Sequence, residues 1–294
     1  MSLFSKIVVA CDFSPDADQA LKQAVVLAHV FKSKVFIVHV LEKNPDDPIW
    51  EILKLPLDVE IKIQNRILAK IRELFPRERL PLDYQIAVVE GDVPLVLTDY
   101  SREKGADLLM VGTHGGTGLA HALLGDNTER IAARANFPVW ICRPPIMEGV
   151  GEILAPLDFS EGNRIAVEWA DALAAGFEAS LTLMHVATMP SLAVLFGEED
   201  PLAVEEAKKV LCEKAESNLK LWLEKLKAPE ADYLLNEGVA AEEIVKTAKA
   251  RKAGLIVMAT HGHGSAKKPH LGKLSTHLVR YAPCSVLMIP PHDR

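Results

Sequence analysis

The chain has 294 residues, 49% hydrophobic and 25% charged, with 33 Lys and Arg against 40 Asp and Glu for a formal charge of −7. That balance suits a folded globular polypeptide and lacks the basic surplus of a general nucleic-acid binder. Cys11, Cys142, Cys212 and Cys284 form no CxxC pair, the N-terminus runs straight into a strand, and no apolar run is long enough to span a bilayer, so a reduced, cytoplasmic protein with no membrane partner is expected.

In chain order, Lys6–Cys11 is a short β-branched apolar run, the mark of a strand covered on both faces. Ser14 followed by Pro15 reads as a helix cap and first helical residue, with Ala17, Ala20, Leu21, Ala24, Val25 and Ala28 behind them at helical spacing. A second strand is expected over Lys34–Val40, then a segment with Pro45, Pro48 and Pro56, and a helix near Val59–Leu74. Tyr84–Glu90 reads as a strand, Asp92–Lys104 as a helix closed by Gly105, Ala106–Gly112 as a strand, Thr128–Ala135 as a helix and Pro138–Arg143 as a fifth strand. After a linker over Pro144–Gly151 the order repeats. Strands are expected near Ile153–Pro156, Ser180–Val186, Ala231–Asn236, Gly254–Ala259 and Cys284–Ile289, with a long helix over Ala203–Leu226. Alternating β and α with buried strands predicts an α/β fold of two tandem, doubly wound, mostly parallel five-stranded sheets. The domains would be 1–144 and 151–294, and the short linker implies that they pack together.

The repeat extends to particular residues. Gly112, Gly115 and Gly125 stand 147 positions before Ala259, Gly262 and Gly272, and ACDFSPDADQAL at Ala10–Leu21 faces PLDFSEGNRIAV at Pro156–Val167. An internal repeat of this length is a duplicated domain. Ligands of such sheets lie beyond the carboxyl ends of strands where the strand order reverses. Glycines there let backbone N–H groups approach an anion, and a helix starting just after Gly125 adds a favourable dipole end.

With Gly112-Thr-His-Gly115, nine residues and then Gly125, with Asp12 and Asp158 after the first strands and with His39-Val40 and His185-Val186 ending the second, the chain resembles the universal stress protein family as a tandem two-domain member. The resemblance implies an adenine-nucleotide alpha-hydrolase-like fold with strand order three-two-one-four-five. It also implies an intramolecular pseudo-dimer in which Val139–Arg143 pairs with Val286–Ile289, and a site for ATP or AMP between strands one and four. Transferred to this chain, the cofactor-binding residues would be Asp12, Val40, Gly112, His114, Gly115, Gly125, Asp126, Asn127 and Thr128. A weaker second site would use Asp158, Val186, Gly262, Gly272 and Lys273. Magnesium or manganese would arrive with the phosphates, further dimerisation stays open, and the protein partner is unspecified.

Two departures from the family pattern matter. Asp126 stands where the family has Ser or Thr, and at about 4 Å with an effective dielectric near 20 it would repel a phosphate by roughly 4 kcal/mol, favouring AMP over ATP unless a cation bridges. Alternatively Asp126 simply N-caps the helix near Thr128. In the second copy Ala259 replaces the first glycine, a steric objection, while Lys273 with Lys267 and Lys268 attracts phosphate and Pro269 stiffens the loop. The first copy is therefore expected to be the principal site.

Histidines His114, His261, His263, His270 and His277 raise a zinc reading that lacks a fixed three- or four-ligand geometry. His39 and His185 read as hydrogen-bonded core residues, and Cys11 as an apolar filler without an activating neighbour. With no GxSxG elbow and no Walker glycine-lysine loop, three functions remain: nucleotide-binding regulator, slow metal-dependent ATPase using Asp126, or nucleotide-free interaction scaffold. The segments Asn44–Asp58 and Thr188–Pro201 would report the bound state.

Overall fold

Strand and helix alternate through both copies in the computed structural model, which describes residues 3–42, 57–75, 83–114, 125–144, 150–187, 201–226, 231–260 and 271–290. The first copy runs β1 (Lys6–Ala10), α1 (Pro15–Phe31), β2 (Lys34–Leu41), α2 (Leu57–Leu74), β3 (Tyr84–Glu90), α3 (Val93–Lys104), β4 (Leu108–Gly112), α4 (Asp126–Arg134) and β5 (Val139–Cys142). The second runs β6 (Glu152–Leu157), α5 (Glu161–Phe177), β7 (Ser180–Ala187), α6 (Pro201–Leu226), β8 (Asp232–Glu237), α7 (Ala240–Arg251), β9 (Leu255–Ala259), α8 (Lys273–Tyr281) and β10 (Ser285–Ile289). The suggested reporting segments fall largely outside the described residues, at 43–56 and 188–200.

The chain divides into two compact units, one built on Met1–Glu148 and joined by Ser285–Pro290, the other on Gly149–Lys268 and Gly272–Cys284. In the first unit the parallel strands lie in the order β3-β2-β1-β4-β5. The last strand of the second copy, β10, closes that edge antiparallel to β5, with Leu287 opposite Trp140. In the second unit four parallel strands follow the order β8-β7-β6-β9. In both units the first strand of the copy has its second strand on one side and its fourth on the other: Ile7 pairs with Val35 and Leu108, and Ile153 with Leu181 and Leu255. The crossovers from that central strand leave in opposite directions, which opens a crevice at its carboxyl end.

The sequence accounts for these elements locally. Ile7, Val8 and Val9 are fully buried, as expected of a parallel strand sandwiched between helices. Ser14 caps α1 by accepting a hydrogen bond from the Ala17 amide, with Pro15 in the first turn where its missing N–H costs nothing. Asp92 caps α3 through the Leu95 amide, and Gly105 ends it in a left-handed conformation at φ 61°. A stripe of Ala17, Ala20, Ala24 and Ala28 faces inward on α1 and lets the helix lie close against β4. A methyl group on Gly112 would stand 2.8 Å from Cβ of Asp16 and 2.9 Å from its carbonyl carbon.

A buried polar knot fixes the closing strand of the first unit. Gln23 is fully buried. Its Oε1 accepts from Trp140 Nε1 at 3.0 Å and from Ser285 Oγ at 2.9 Å, and its Nε2 donates to the Arg143 carbonyl at 2.9 Å. Every polar atom of that amide has a partner, as burial demands.

Candidate functional site

The turn leaving β1 is built the same way in both copies. Asp12 Oδ1 accepts from the Ser14 amide at 2.9 Å, and Asp158 Oδ1 from the Ser160 amide at 2.9 Å. Each folds the chain into a side-chain-stabilised turn. The residue between, Phe13 or Phe159, is held at φ 65° or 60°, a left-handed backbone that bulky residues rarely adopt and that costs roughly 1 kcal/mol or more. Ring contacts hold it there. Phe13 packs on His39 at 5.0 Å between ring centres with the Arg66 guanidinium 4.0 Å above it, and Phe159 packs on His185 at 4.5 Å with Trp222 against its edge. Each histidine is tied by Nδ1 to a carbonyl of the turn, His39 to Cys11 at 2.6 Å and His185 to Leu157 at 2.8 Å. A carbonyl can only accept, so Nδ1 carries the proton and the imidazole braces the turn.

In the first unit a cleft of about 500 Å³ lies beyond β1 and β4, and Asp12, Val40, Gly112, His114, Gly125, Asp126, Asn127 and Thr128 all border it. Gly115 lies outside the described residues. The amide of Gly125 donates to the Thr113 carbonyl and the hydroxyl of Thr128 to the Gly112 carbonyl, at 3.0 and 2.9 Å. These two bonds dock the start of α4 on the end of β4, and they commit the Thr128 hydroxyl proton to the protein. Helix α4 begins at Asp126 with Gly125 in the cap position and no side chain capping it. The expectation that Asp126 caps a helix near Thr128 is thereby corrected: docking through Gly125 starts the helix one residue earlier than a side-chain cap would allow. Asp126 lies in the first turn, exposed at the rim.

Three charged residues escaped the sequence reading, two bordering this cleft and one, Asp16, bonded to its lining residue His114. Asp16, in the first turn of α1, accepts from the Thr113 hydroxyl and from the amide and Nδ1 of His114, both at 2.9 Å. Burial pushes the Asp16 carboxyl up, but these donors outweigh it and hold the group below its ordinary range. Glu42 and Arg130 border the cleft, and Arg130 also bonds Asp92 at 2.8 Å. No signal in the sequence links Asp16 to Thr113 and His114, because the contact crosses from the first helix to the fourth strand. The Nε2 of His114 is buried and has no hydrogen-bond partner among the described residues. Cys11, pushed up to about 11 chiefly by burial, is an inert thiol beneath the turn.

The second unit holds a matching cleft of about 440 Å³, bordered by Asp158, Val186, Ala259, Gly272 and Lys273 among others. Gly262, His261, His263, Lys267, Lys268, Pro269 and His270 lie outside the described residues, and among the described residues no cluster of His, Cys, Asp or Glu is arranged to hold a metal ion. The steric objection to Ala259 concerns the approach of a ligand, and Ala259 borders this cleft. The geometry at Gly112 shows a separate constraint, since a Cβ there would meet the side chain and backbone of Asp16 on α1. In the second copy the residue corresponding to Asp16 is Gly162.

No helix among the described residues is long and apolar enough to cross a membrane. The universal stress protein family model matches residues 3–143 and again residues 150–290. A universal stress protein of Methanocaldococcus jannaschii is 28% identical over 152 residues, 50% of this chain and 86% of the relative. One from Thermus aquaticus is 34% identical over 137 residues, 47% of this chain and 96% of the relative. Among solved structures, a universal stress protein from Archaeoglobus fulgidus aligns over 97% of this chain and 98% of its own with a TM-score of 0.68 and 17% identity, a likeness of fold.

Proposed function

The chain belongs to the universal stress protein family, two of whose domains it carries in tandem, and on that premise we propose that it is a stress-response regulatory protein that binds an adenine nucleotide, ATP or AMP, at the carboxyl edge of its sheets. The observation that carries this reading is the repetition of one polar frame around two clefts. In each, an aspartate in a tight turn, the end of the second strand at Val40 or Val186, and an uncapped helix start after Gly125 or Gly272 border the same space. The aspartate takes the adenine and ribose side, and the helix start takes phosphate through amides with no intrahelical partner. The domains are 1–144 and 151–294, acting as a pseudo-dimer within one chain.

Thermal unfolding and calorimetric titration of the nucleotide-stripped chain with ATP and AMP, each with and without magnesium, test the proposal. A ligand specific to the native state at a hundred times its Kd stabilises it by about 2.7 kcal/mol, which is readable as a rise in Tm. The proposal is refuted by an unchanged Tm and no heat with either nucleotide at millimolar concentration.

A further inference from the structure

We propose that the two clefts are specialised by charge, and that the second unit holds the site that takes nucleotide phosphates without a metal ion, with Lys273 as the residue that sets this preference. The inference rests on the nucleotide reading above and reverses the ranking expected from the glycine spacing. Around the first cleft stand three carboxylates, Asp12, Glu42 and Asp126, against the Arg130 guanidinium. Arg130 is engaged by Asp92 at 2.8 Å, so much of its charge is already answered. The first turn of α4 also carries Asp126 and Glu129, which occupy the positive end of the helix dipole themselves. Around the second cleft stand Asp158 and Lys273, with His185 held by its bond to the Leu157 carbonyl. The first turn of α8 contains no acidic residue. Lys273 is its first residue, so an ammonium and uncapped amides border the same part of the cleft.

The second cleft also has room beside Lys273. Gly272 has an ordinary extended backbone at φ −62°, so its conformation does not demand glycine. Packing does not demand it either: an added Cβ would meet the Thr260 carbonyl oxygen at 3.9 Å and Ser275 Oγ at 4.0 Å, ordinary contacts. Gly272 borders the cleft, so the space a side chain would take there is left for a ligand. Gly125, its counterpart in the first copy, has the same extended backbone at φ −64° and also borders its cleft, so it is charge that separates the two helix starts.

The experiment is calorimetry of the full chain in EDTA with AMP and with adenosine, which shares the base and ribose but lacks the phosphate. AMP is expected to bind at one per chain. Lys273→Met is expected to weaken AMP by 10- to 100-fold, the range for a charge-assisted contact, and adenosine by less than threefold, with Tm unchanged because Lys273 is exposed. Gly272→Val is expected to weaken both ligands. Asp126→Lys, which gives the first cleft the charge of the second, is expected to raise the metal-free AMP stoichiometry toward two. AMP binding that survives both Lys273→Met and Gly272→Val overturns the assignment while leaving the nucleotide reading standing. Absence of binding by AMP, ATP and adenosine, with and without magnesium, overturns both.

Discussion

Gly112→Ala probes the claim that this glycine answers to α1. The new methyl would stand 2.8 Å from Asp16 Cβ, and 2.9 and 3.0 Å from the Asp16 carbonyl carbon and oxygen. Two of those atoms are backbone, so no rotamer change relieves the contact, and the amino end of α1 must move away from β4. Overpacking of this kind costs about 1–3 kcal/mol. The same movement would lengthen the bonds from Asp16 to Thr113 and His114. Asp16→Gly, which reproduces the second copy, removes one of the three contacts and forfeits those hydrogen bonds, about 1–3 kcal/mol on its own. The double variant should therefore cost about 1 kcal/mol less than the sum of the singles, a coupling normal for touching residues. Urea denaturation of the four proteins gives the cycle, and hydrogen exchange in peptides from α1 and β4 localises the effect to the first unit. A Gly112→Ala protein within about 0.5 kcal/mol of wild type, or an additive cycle, would refute the reasoning.

Asp16→Asn should destabilise the first unit by about 1–3 kcal/mol at pH 7, because a carboxylate accepting three bonds becomes a neutral amide. Because the folded carboxyl is depressed, the wild-type advantage is fully present above the unfolded value of about 3.9 and shrinks as pH falls below it. Urea midpoints of both proteins from pH 7 to pH 3 check this, and a gap that widens in acid contradicts it. Gln23→Leu strands the buried Trp140 indole N–H and removes one of the bonds to the Arg143 carbonyl, which Ser285 Oγ still reaches at 3.3 Å. A loss of about 1–3 kcal/mol is expected from the unpaired indole, together with faster exchange of β10 amides, and a neutral result would mean that the knot contributes nothing.

Much of the fold was legible because the relevant signals are local. The run Lys6–Cys11 had to be a doubly covered strand, and Ser14-Pro15, Asp92 and Gly105 marked helix ends by chemistry acting within three residues. The duplication then located both crevices. What stayed hidden depends on which atoms meet across the sheet. Asp16 carries no mark of its own in the sequence, and nothing in the chain indicates that Thr113 and His114, just after β4, would converge on it. Asp126 read as a cap because aspartate favours caps, whereas the position went to Gly125 through bonds to residues at the end of β4. Spacing shows that Ala259 replaces a glycine, while only the structure shows that the side chain and backbone of Asp16 on α1 crowd Gly112.

Comparing the copies separates two kinds of residue. Those that shape the crevice recur: the aspartate turn, a phenylalanine at positive φ and a histidine bonded to a turn carbonyl are present in both units. Maintaining such strain twice makes sense if it aims the aspartate into the cleft, since a relaxed turn at Phe13 and Phe159 would otherwise be more stable. The residues that set the electrostatics of the helix end differ, with Asp126 against Lys273. On the proposed reading, the shared shape would hold a base and ribose in both clefts, and charge would decide which of them tolerates phosphate. A tandem chain can make that division because each helix start is encoded separately, whereas two identical chains must carry the same residue at both.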